Sequence, residues 1–185
     1  DERLQQELTP LLDCDVIGLY LYSERTTSFS PVSESLCNPT SPAYSIAQLP
    51  AAGTIKEAAV LAGQAIVTDD LSTSPWTEAQ AIDPNISRST SVVVSPIRIP
   101  SESMTGATAK TLAVMVAVSI GKPGIFSEED RLFLDLLGLH IAPVLTAVLA
   151  AEERDTLVAI NNQIVLGTMT LDTLLPSIQP ILREI

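Results

Sequence analysis

Few side chains in this 185-residue sequence are of the types that carry covalent or metal chemistry. The two cysteines, Cys14 and Cys37, have no metal-ligand spacing and no neighbouring histidine, so they predict neither a metal site nor a disulfide framework. His140 is the single histidine and lies late in an apolar helical stripe, where a packed or interface position is commoner than a catalytic one. We therefore expect buried, inert thiols and no catalytic or metal centre.

A second group of side chains has the types that line a small-molecule pocket. Tyr20 and Tyr22 share a face of one predicted strand, and Ser91 and Val93 share a face of another. Trp76 and Arg88 bracket one predicted loop. In the loop, the tryptophan suits a planar or apolar group and the arginine suits a carboxylate or phosphate. The alternative is that the strand pairs are packing, the tryptophan closes the core and the arginine is solvated. The candidate ligand-binding residues are Tyr20, Tyr22, Trp76, Arg88, Ser91 and Val93.

Composition and charge restrict the partners of the chain. There are 10 Lys and Arg against 22 Asp and Glu, and the formal net charge of −12 disfavours nucleic acid and anionic membrane surfaces. Hydrophobic residues make up 46% of the chain, which is enough for a folded core. No stretch of about 18 uncharged apolar residues occurs. We expect no direct nucleic-acid partner, no membrane in this segment and a cytoplasmic location.

Strands in the middle of the chain must position the candidate pocket residues. Residues 91–99 and 111–120 are rich in β-branched side chains, which are typical of a half-buried sheet. Within 111–120, alternate positions are bulky on one face and small on the other. This pattern predicts a central strand with another element packed closely on its small face. Ser127, followed by three acidic residues, predicts the start of a helix.

The remaining pattern places helices around this sheet. Residues 16–22 predict another strand, and residues 26–31 can pair back against it. Thr54 and Glu57 have the spacing of a capping box, and Gly63 can end that helix in the left-handed conformation. Strands in the middle with helices at both ends predict the α+β class with an antiparallel sheet.

Three segments together resemble the GAF domain, a small ligand-sensing module of signalling proteins. Residues 49–71 are similar to its helix–strand unit, which opens with Leu-Pro, residues 91–99 to one of its strands, and residues 111–139 to its final strand and helix. In the last two segments the matching residues are Val94, Pro96, Ile97, Ser119, Pro123, Phe126, Asp130 and Leu134. The resemblance covers residues 1–149. It implies a profilin/PAS-related sheet of about six antiparallel strands, terminal helices packed on one face and a ligand pocket over the other.

Residues 150–185 are similar to a helical linker and the start of a following signalling module, for which a second GAF domain is one candidate. The sequence therefore predicts a GAF domain over 1–149 and this linker region over 150–185.

Specialised members of the family differ from this sequence at the residues that carry their chemistry. Pigment-binding members use a cysteine usually followed by histidine, and the sulfoxide-reducing enzymes need several cysteines in one pocket; neither arrangement is present. Members of the phosphodiesterase type, which bind cyclic nucleotides, have an Asn and a Glu where this chain has Gly121 and Arg131. The sequence therefore leaves the ligand and any cofactor unidentified.

The leading hypothesis from the resemblance is a regulatory sensor domain, not an enzyme, of a bacterial signalling or transcription regulator. It would bind a small molecule, form a homodimer through its terminal helices and act on an output domain of the same full-length protein. The alternative is a dimerisation scaffold whose pocket is filled by its own side chains and takes no ligand.

Overall fold

The computed structural model describes residues 2–32, 53–76, 90–99 and 109–165. These residues form three helices, five strands and one 3-10 turn. In chain order the elements are α1 (Glu2–Leu11), β1 (Val16–Ser23), β2 (Ser28–Pro31), α2 (Ile55–Ala62), β3 (Ile66–Thr68), the 3-10 turn (Leu71–Thr73), β4 (Thr90–Ile99), β5 (Lys110–Ile120) and α3 (Glu128–Val165).

The strands form one antiparallel sheet in the order β2-β1-β5-β4-β3. This arrangement confirms the predicted α+β class, the pairing of the strands near the N-terminus and the central position of β5. The count differs slightly from the expectation, because the described residues contain five strands where about six were predicted. β5 is flanked by β1 and β4 along most of its length, and all but the ends of these strands are buried.

Residues opposite each other on paired strands share one face of the sheet. The register places Tyr20 opposite Val114, and Val116 opposite Val94, on what we call the aromatic face. Tyr22 and Phe29, which are also opposite each other, belong to the same face. The other surface, the helix face, carries small residues at several positions of β4 and β5: Ser91, Ser95, Ala113, Ala117 and Ser119.

Helix α3 packs on the helix face. The hydroxyl of Ser95 donates a hydrogen bond of 2.8 Å to the carboxylate of Asp135. One turn further along, Gly138 lies so close to β4 that a Cβ atom there would be 3.6 Å from Cγ1 of Ile97 and 3.7 Å from the carbonyl oxygen of Pro96. Helix α3 therefore contacts the helix face at β4, and the close packing predicted against the small face of β5 itself stays a prediction.

The starts of α2 and α3 have the predicted capping residues. The hydroxyl of Thr54 accepts from the backbone N–H of Glu57 at 3.3 Å, while the Glu57 carboxylate accepts from the N–H of Gly53 at 2.7 Å. At α3, the Ser127 hydroxyl accepts from the N–H of Asp130, whose carboxylate accepts from the N–H of Ser127 at 2.8 Å. Both capping pairs satisfy amides that the helix itself leaves free.

The chain divides into two compact units, Asp1–Ala142 and Pro143–Ile185. The first unit contains all of the described strands together with α1, α2 and the first part of α3. In the second unit, the described residues are 143–165 of α3. The sequence-based boundary between 149 and 150 stays a prediction.

Helix α3 has a strongly apolar surface. Within the first unit, Leu132, Leu136 and Leu139 are 52%, 57% and 57% exposed. By length and composition alone, Glu128–Ala159 could cross a membrane, and 22% of its most apolar 18-residue stretch is buried. Core helices of soluble proteins can have the same length and composition, so the expectation that this segment lies outside a membrane stays a prediction.

Candidate functional site

Tyr20 lies flat on the aromatic face. Its side chain is 1% exposed, and a Cβ atom on Gly18 would be 2.8 Å from Cε2 of the ring and 2.9 Å from its hydroxyl oxygen. Gly18 is therefore required for space, since any side chain at that position would displace the ring. The ring of Tyr20 in turn covers a stretch of the sheet that glycine leaves bare.

Above this ring lies Lys56, from the first turn of α2. The Lys56 side chain is only 2% exposed, and its Nζ atom is 5.3 Å from the centroid of the Tyr20 ring and 5.4 Å from that of Phe29. The two ring faces attract the ammonium group by cation–π interaction, worth about 0.5 to 2 kcal/mol for each ring. Removing an ion from water costs several kcal/mol, so the rings offset part of the desolvation of Lys56.

The start of α2 adds to the cost of this buried cation. Thr54 caps the helix, so Lys56 is its second helical residue, and the amide groups at this end carry partial positive charge. Thus two effects, burial and the helix end, disfavour a charged lysine at this position. The charge is nevertheless placed against the aromatic face.

Tyr22 completes the group of side chains around Lys56. Its ring centroid is 5.1 Å from that of Phe29, with the two rings tilted by 37°. Burial raises the pKa of Tyr22, and the charges of Glu24 and Glu57 raise it further. We call Tyr20, Tyr22, Phe29 and Lys56 the aromatic site.

Of the predicted ligand residues, Tyr20 and Tyr22 belong to the aromatic site, whereas Ser91 and Val93 are fully buried on the helix face. The Ser91 hydroxyl lies 2.8 Å from the carbonyl oxygen of Asp69 and 2.9 Å from that of Lys122, so it links the chain after β3 to the chain after β5. The structure therefore does not bring the two pairs together, because strand register places them on opposite faces.

Trp76 is half-buried and follows the 3-10 turn, and Arg88 lies outside the described residues. The part of the aromatic site that sequence reasoning missed is Lys56 with Phe29. A signal existed in residues 55–62, because this lysine stands close to the capped start of a helix made mostly of apolar residues. Helical periodicity alone did not show that it points into the protein.

A second polar group connects α2 with α3. Asp135 Oδ1 accepts from the backbone N–H of Ala65 at 3.2 Å and from the Ser95 hydroxyl at 2.8 Å. Its other oxygen is 3.6 Å from Nη1 of Arg131 on the same helix. Ala65 lies two residues after Gly63, the left-handed residue that ends α2. One carboxylate of α3 therefore bonds both to strand β4 and to the segment that leaves α2.

A cavity of about 460 Å³ lies where β3 ends and α3 begins. Its described lining is acidic, with Asp69, Asp70 and Glu128, and includes none of the six predicted ligand residues. Within the ranges that the structure describes, no group of three or more His, Cys, Asp or Glu residues could hold a metal ion.

Cys14 is buried just before β1, and its environment does not favour thiol chemistry. Burial raises the pKa of this thiol from 9.0 to about 11, and the charges of Asp15 and Asp13 act in the same direction. The thiol is therefore protonated at neutral pH, whereas the nucleophilic form is the thiolate. Cys37 lies outside the described residues.

At the level of sequence, no family model and no curated protein matches this chain. Solved structures are similar to it in fold. The GAF domain of an Acinetobacter phosphoenolpyruvate-protein phosphotransferase superposes with a TM-score of 0.56 at 16% identity, covering 81% of this chain and 82% of that one. A GAF domain/HD domain protein from Geobacter sulfurreducens also gives 0.56 at 16% identity, covering 79% and 89%.

The chain has the GAF fold.

Similarity of fold extends to proteins with different activities. The free methionine-R-sulfoxide reductase of Neisseria meningitidis, solved with its substrate, superposes with a TM-score of 0.54 at 19% identity, covering 80% of this chain and 77% of that one. Photoreceptor domains of cyanobacteriochromes are among the other similar structures. At such identities the likeness establishes the GAF fold, and the function must be argued from the residues of this chain.

Proposed function

We propose that this chain is a regulatory GAF domain, not an enzyme, that binds a small molecule at the aromatic face and transmits binding through α2 to α3. The observation that carries this proposal is the position of α2. Its first turn places Lys56 over Tyr20, and Ala65, three residues beyond its end, bonds to Asp135 of α3. An eight-residue helix is about 12 Å long, so one short helix and the three residues that follow it connect the two places.

A ligand on the aromatic face would act on α3 through displacement of α2. Movement of α2 lengthens or shortens the bond between the Ala65 N–H and the Asp135 carboxylate, while Ser95 holds the same carboxylate to the sheet. Binding thus shifts α3 only if the ligand binds more tightly when α2 is displaced than when it is not. The thiol environment supports a role without catalysis, because a Cys14 thiol with a pKa of about 11 stays protonated.

The first experiment is a thermal-shift screen of nucleotides, amino acids and 2-oxo acids, combined with a native mass spectrum of the purified chain. A ligand present at about 100 times its dissociation constant stabilises the native state by about 2.7 kcal/mol. Hits are then tested by hydrogen exchange of α3 amides with and without the compound. We expect bound compound to change exchange in residues 128–142.

The Asp135→Asn variant tests the path to α3. It keeps one acceptor oxygen but removes the charge that both donors share, so we expect compound affinity within about twofold of wild type and a reduced exchange response of α3. Asp155→Asn is the matched control, because Asp155 is an exposed aspartate of the same helix. An unchanged α3 response in Asp135→Asn would refute transmission through this carboxylate, and no binding by any compound would refute the sensor function.

A dimerisation scaffold is the second candidate function, and one observation favours it. Leu132, Leu136 and Leu139 are each more than half exposed and recur at spacings of four and three residues, as on one face of a two-helix seam. We propose a homodimer through α3, which is compatible with the sensor function. The proposal includes an output domain in the same full-length protein and a cytoplasmic location.

Sedimentation of Leu136→Glu tests the dimer. A glutamate at the centre of the exposed stripe would be unpaired and buried in a dimer, so we expect a monomer at concentrations where wild type is dimeric. Glu129→Gln, at an exposed polar position of the same helix, is the control. A wild-type monomer, or binding of wild type to phospholipid vesicles through α3, would refute this assignment.

A further inference from the structure

We infer that His140 lies within the contact between two copies of α3, and that the homodimer dissociates when this histidine takes up a proton. The inference rests on the proposed homodimer and adds its regulation. Its basis is that the one histidine of the chain lies at the centre of the exposed apolar face of α3, with a hydrogen bond that fixes where its proton sits.

The buried side of α3 shows in which direction His140 points. Leu134, Gly138 and Ala142 are buried. Two positions along an α-helix correspond to about 200° around its axis. Leu136 and His140 each lie two residues from two of these buried positions, so they are on the side of the helix that faces away from the sheet.

The exposed face around His140 is apolar and carries no charged side chain. From 132 to 151 the one charged residue is Asp135, whose carboxylate is bonded toward the sheet. A chain with a net charge of −12 repels a second copy wherever acidic side chains meet, so two copies associate best through a surface without them. This face therefore fits a second copy of the chain. Its large exposed side chains within the first unit are Leu132, Phe133, Leu136 and Leu139.

A lipid surface fits α3 less well. Helices that lie on membranes are rich in Lys and Arg along their polar side. From 128 to 155, α3 has two basic residues, Arg131 and Arg154, against seven acidic ones. Anionic headgroups would repel this excess of negative charge.

The hydrogen bond of His140 determines its tautomer. The Nδ1 atom lies 2.8 Å from the carbonyl oxygen of Leu136. A carbonyl oxygen can only accept, so Nδ1 carries the proton of the neutral ring and Nε2 has none. Proton uptake therefore occurs at Nε2 and adds a positive charge to an apolar contact, where the charge would be removed from water.

Acidic groups of the same copy lie far from this added charge. Among the residues that the structure describes, the polar contact of His140 is the one with Leu136. On α3, Asp135 is bonded to the sheet, and Asp130 and Glu129 lie at least about 15 Å before His140 along the helix. The second copy brings the same apolar residues and its own His140, so protonation adds two like charges to one contact.

Sedimentation of wild type at about pH 7.5 and about pH 5.5, at one ionic strength, tests the inference. An ordinary histidine is about one-tenth protonated at the higher pH and about nine-tenths at the lower. If the dimer admits only the neutral ring, both copies must release a proton, so we expect the dissociation constant to be about a hundredfold higher at the lower pH. Acid also reduces the net charge of −12, which by itself would strengthen association, so the sign of the change identifies its cause.

His140→Leu should be a dimer at both pH values, whereas His140→Lys should associate weakly at both. The matched control combines His140→Leu with Lys110→His, which moves the one histidine to an exposed position at the start of β5 and should also show no pH dependence. Should His140→Leu not stay soluble, NMR of wild type gives a second measurement. We expect the ring-proton signals of His140 to titrate at lower pH in a concentrated sample than in a dilute one.

Three results would overturn the inference and leave the proposed homodimer intact. They are an equal dissociation constant at the two pH values, a loss of dimer at low pH that persists in His140→Leu, and a ring-proton titration that does not depend on protein concentration. A wild-type monomer at both pH values, free or bound to phosphatidylcholine vesicles, would overturn the homodimer and the inference together.

Discussion

Gly138 provides a sharp test of how α3 is seated on the sheet. A methyl group at this position would be 3.6 Å from Cγ1 of Ile97 and 3.7 Å from the carbonyl oxygen of Pro96, which is ordinary van der Waals distance. Gly138→Ala therefore fits without displacement. Alanine is about 1 kcal/mol more favourable than glycine in a helix interior, so we expect the free energy of unfolding to rise by about 0.5 to 1 kcal/mol.

A larger side chain at the same position should have the opposite effect. Gly138→Leu has the same advantage in helix propensity, but its additional carbons would extend beyond the methyl position into Ile97 and the backbone of Pro96. Overpacking of this kind costs about 1 to 3 kcal/mol. We therefore expect Gly138→Leu to be less stable than wild type, so that the free energy of unfolding of wild type lies between those of the two variants.

Urea unfolding followed by the fluorescence of Trp76, the single tryptophan, measures both changes. For a chain of this length, 1 kcal/mol corresponds to about 2 to 4 °C in Tm. A loss of stability in Gly138→Ala would show that the helix lies closer to β4 than the structure places it. Equal stability of Gly138→Leu and Gly138→Ala would show that α3 is not packed at this point, and either result would refute the seating of α3 derived above.

The remaining predictions concern a helix end and a thiol. Gly63 has φ 65°, and the Arg98 guanidinium lies where a Cβ atom would be. Gly63→Ala should therefore lower the free energy of unfolding by about 1 to 2 kcal/mol in urea titrations. No change would contradict a left-handed end of α2. In a Cys37→Ser background, the buried Cys14 should resist a thiol reagent near neutral pH until urea unfolds the chain, and rapid labelling of the native protein would disprove its burial. Folding raises the pKa of Cys14 from 9.0 to about 11, so the contribution of this thiol to the free energy of unfolding is complete below pH 9 and is lost as the pH rises to about 11. Unfolding of Cys14→Ser measured over the same pH range is the comparison, because that variant should not show this loss.

The candidate site shows where sequence reasoning reached its limit. Tyr20 and Tyr22 were correctly placed on a common strand face, because alternation along one strand is a local property. Their relation to Ser91 and Val93 could not be derived in the same way. It depends on the register of β1 with β5 and of β5 with β4, and a shift of one residue in either pair exchanges the faces.

Sequence alone determined the local features of this protein. The strands, the capped starts of α2 and α3, the left-handed end of α2 and the central role of β5 follow from residue types a few positions apart, and the structure has each of them. Tertiary structure alone decided that Lys56 is buried against Tyr20 and Phe29, and that Asp135 bonds to Ser95, 40 residues away, and to Ala65, 70 residues away. The physical reason is that periodicity and capping act within one element, whereas a buried charge and a shared carboxylate depend on how separate elements pack against each other.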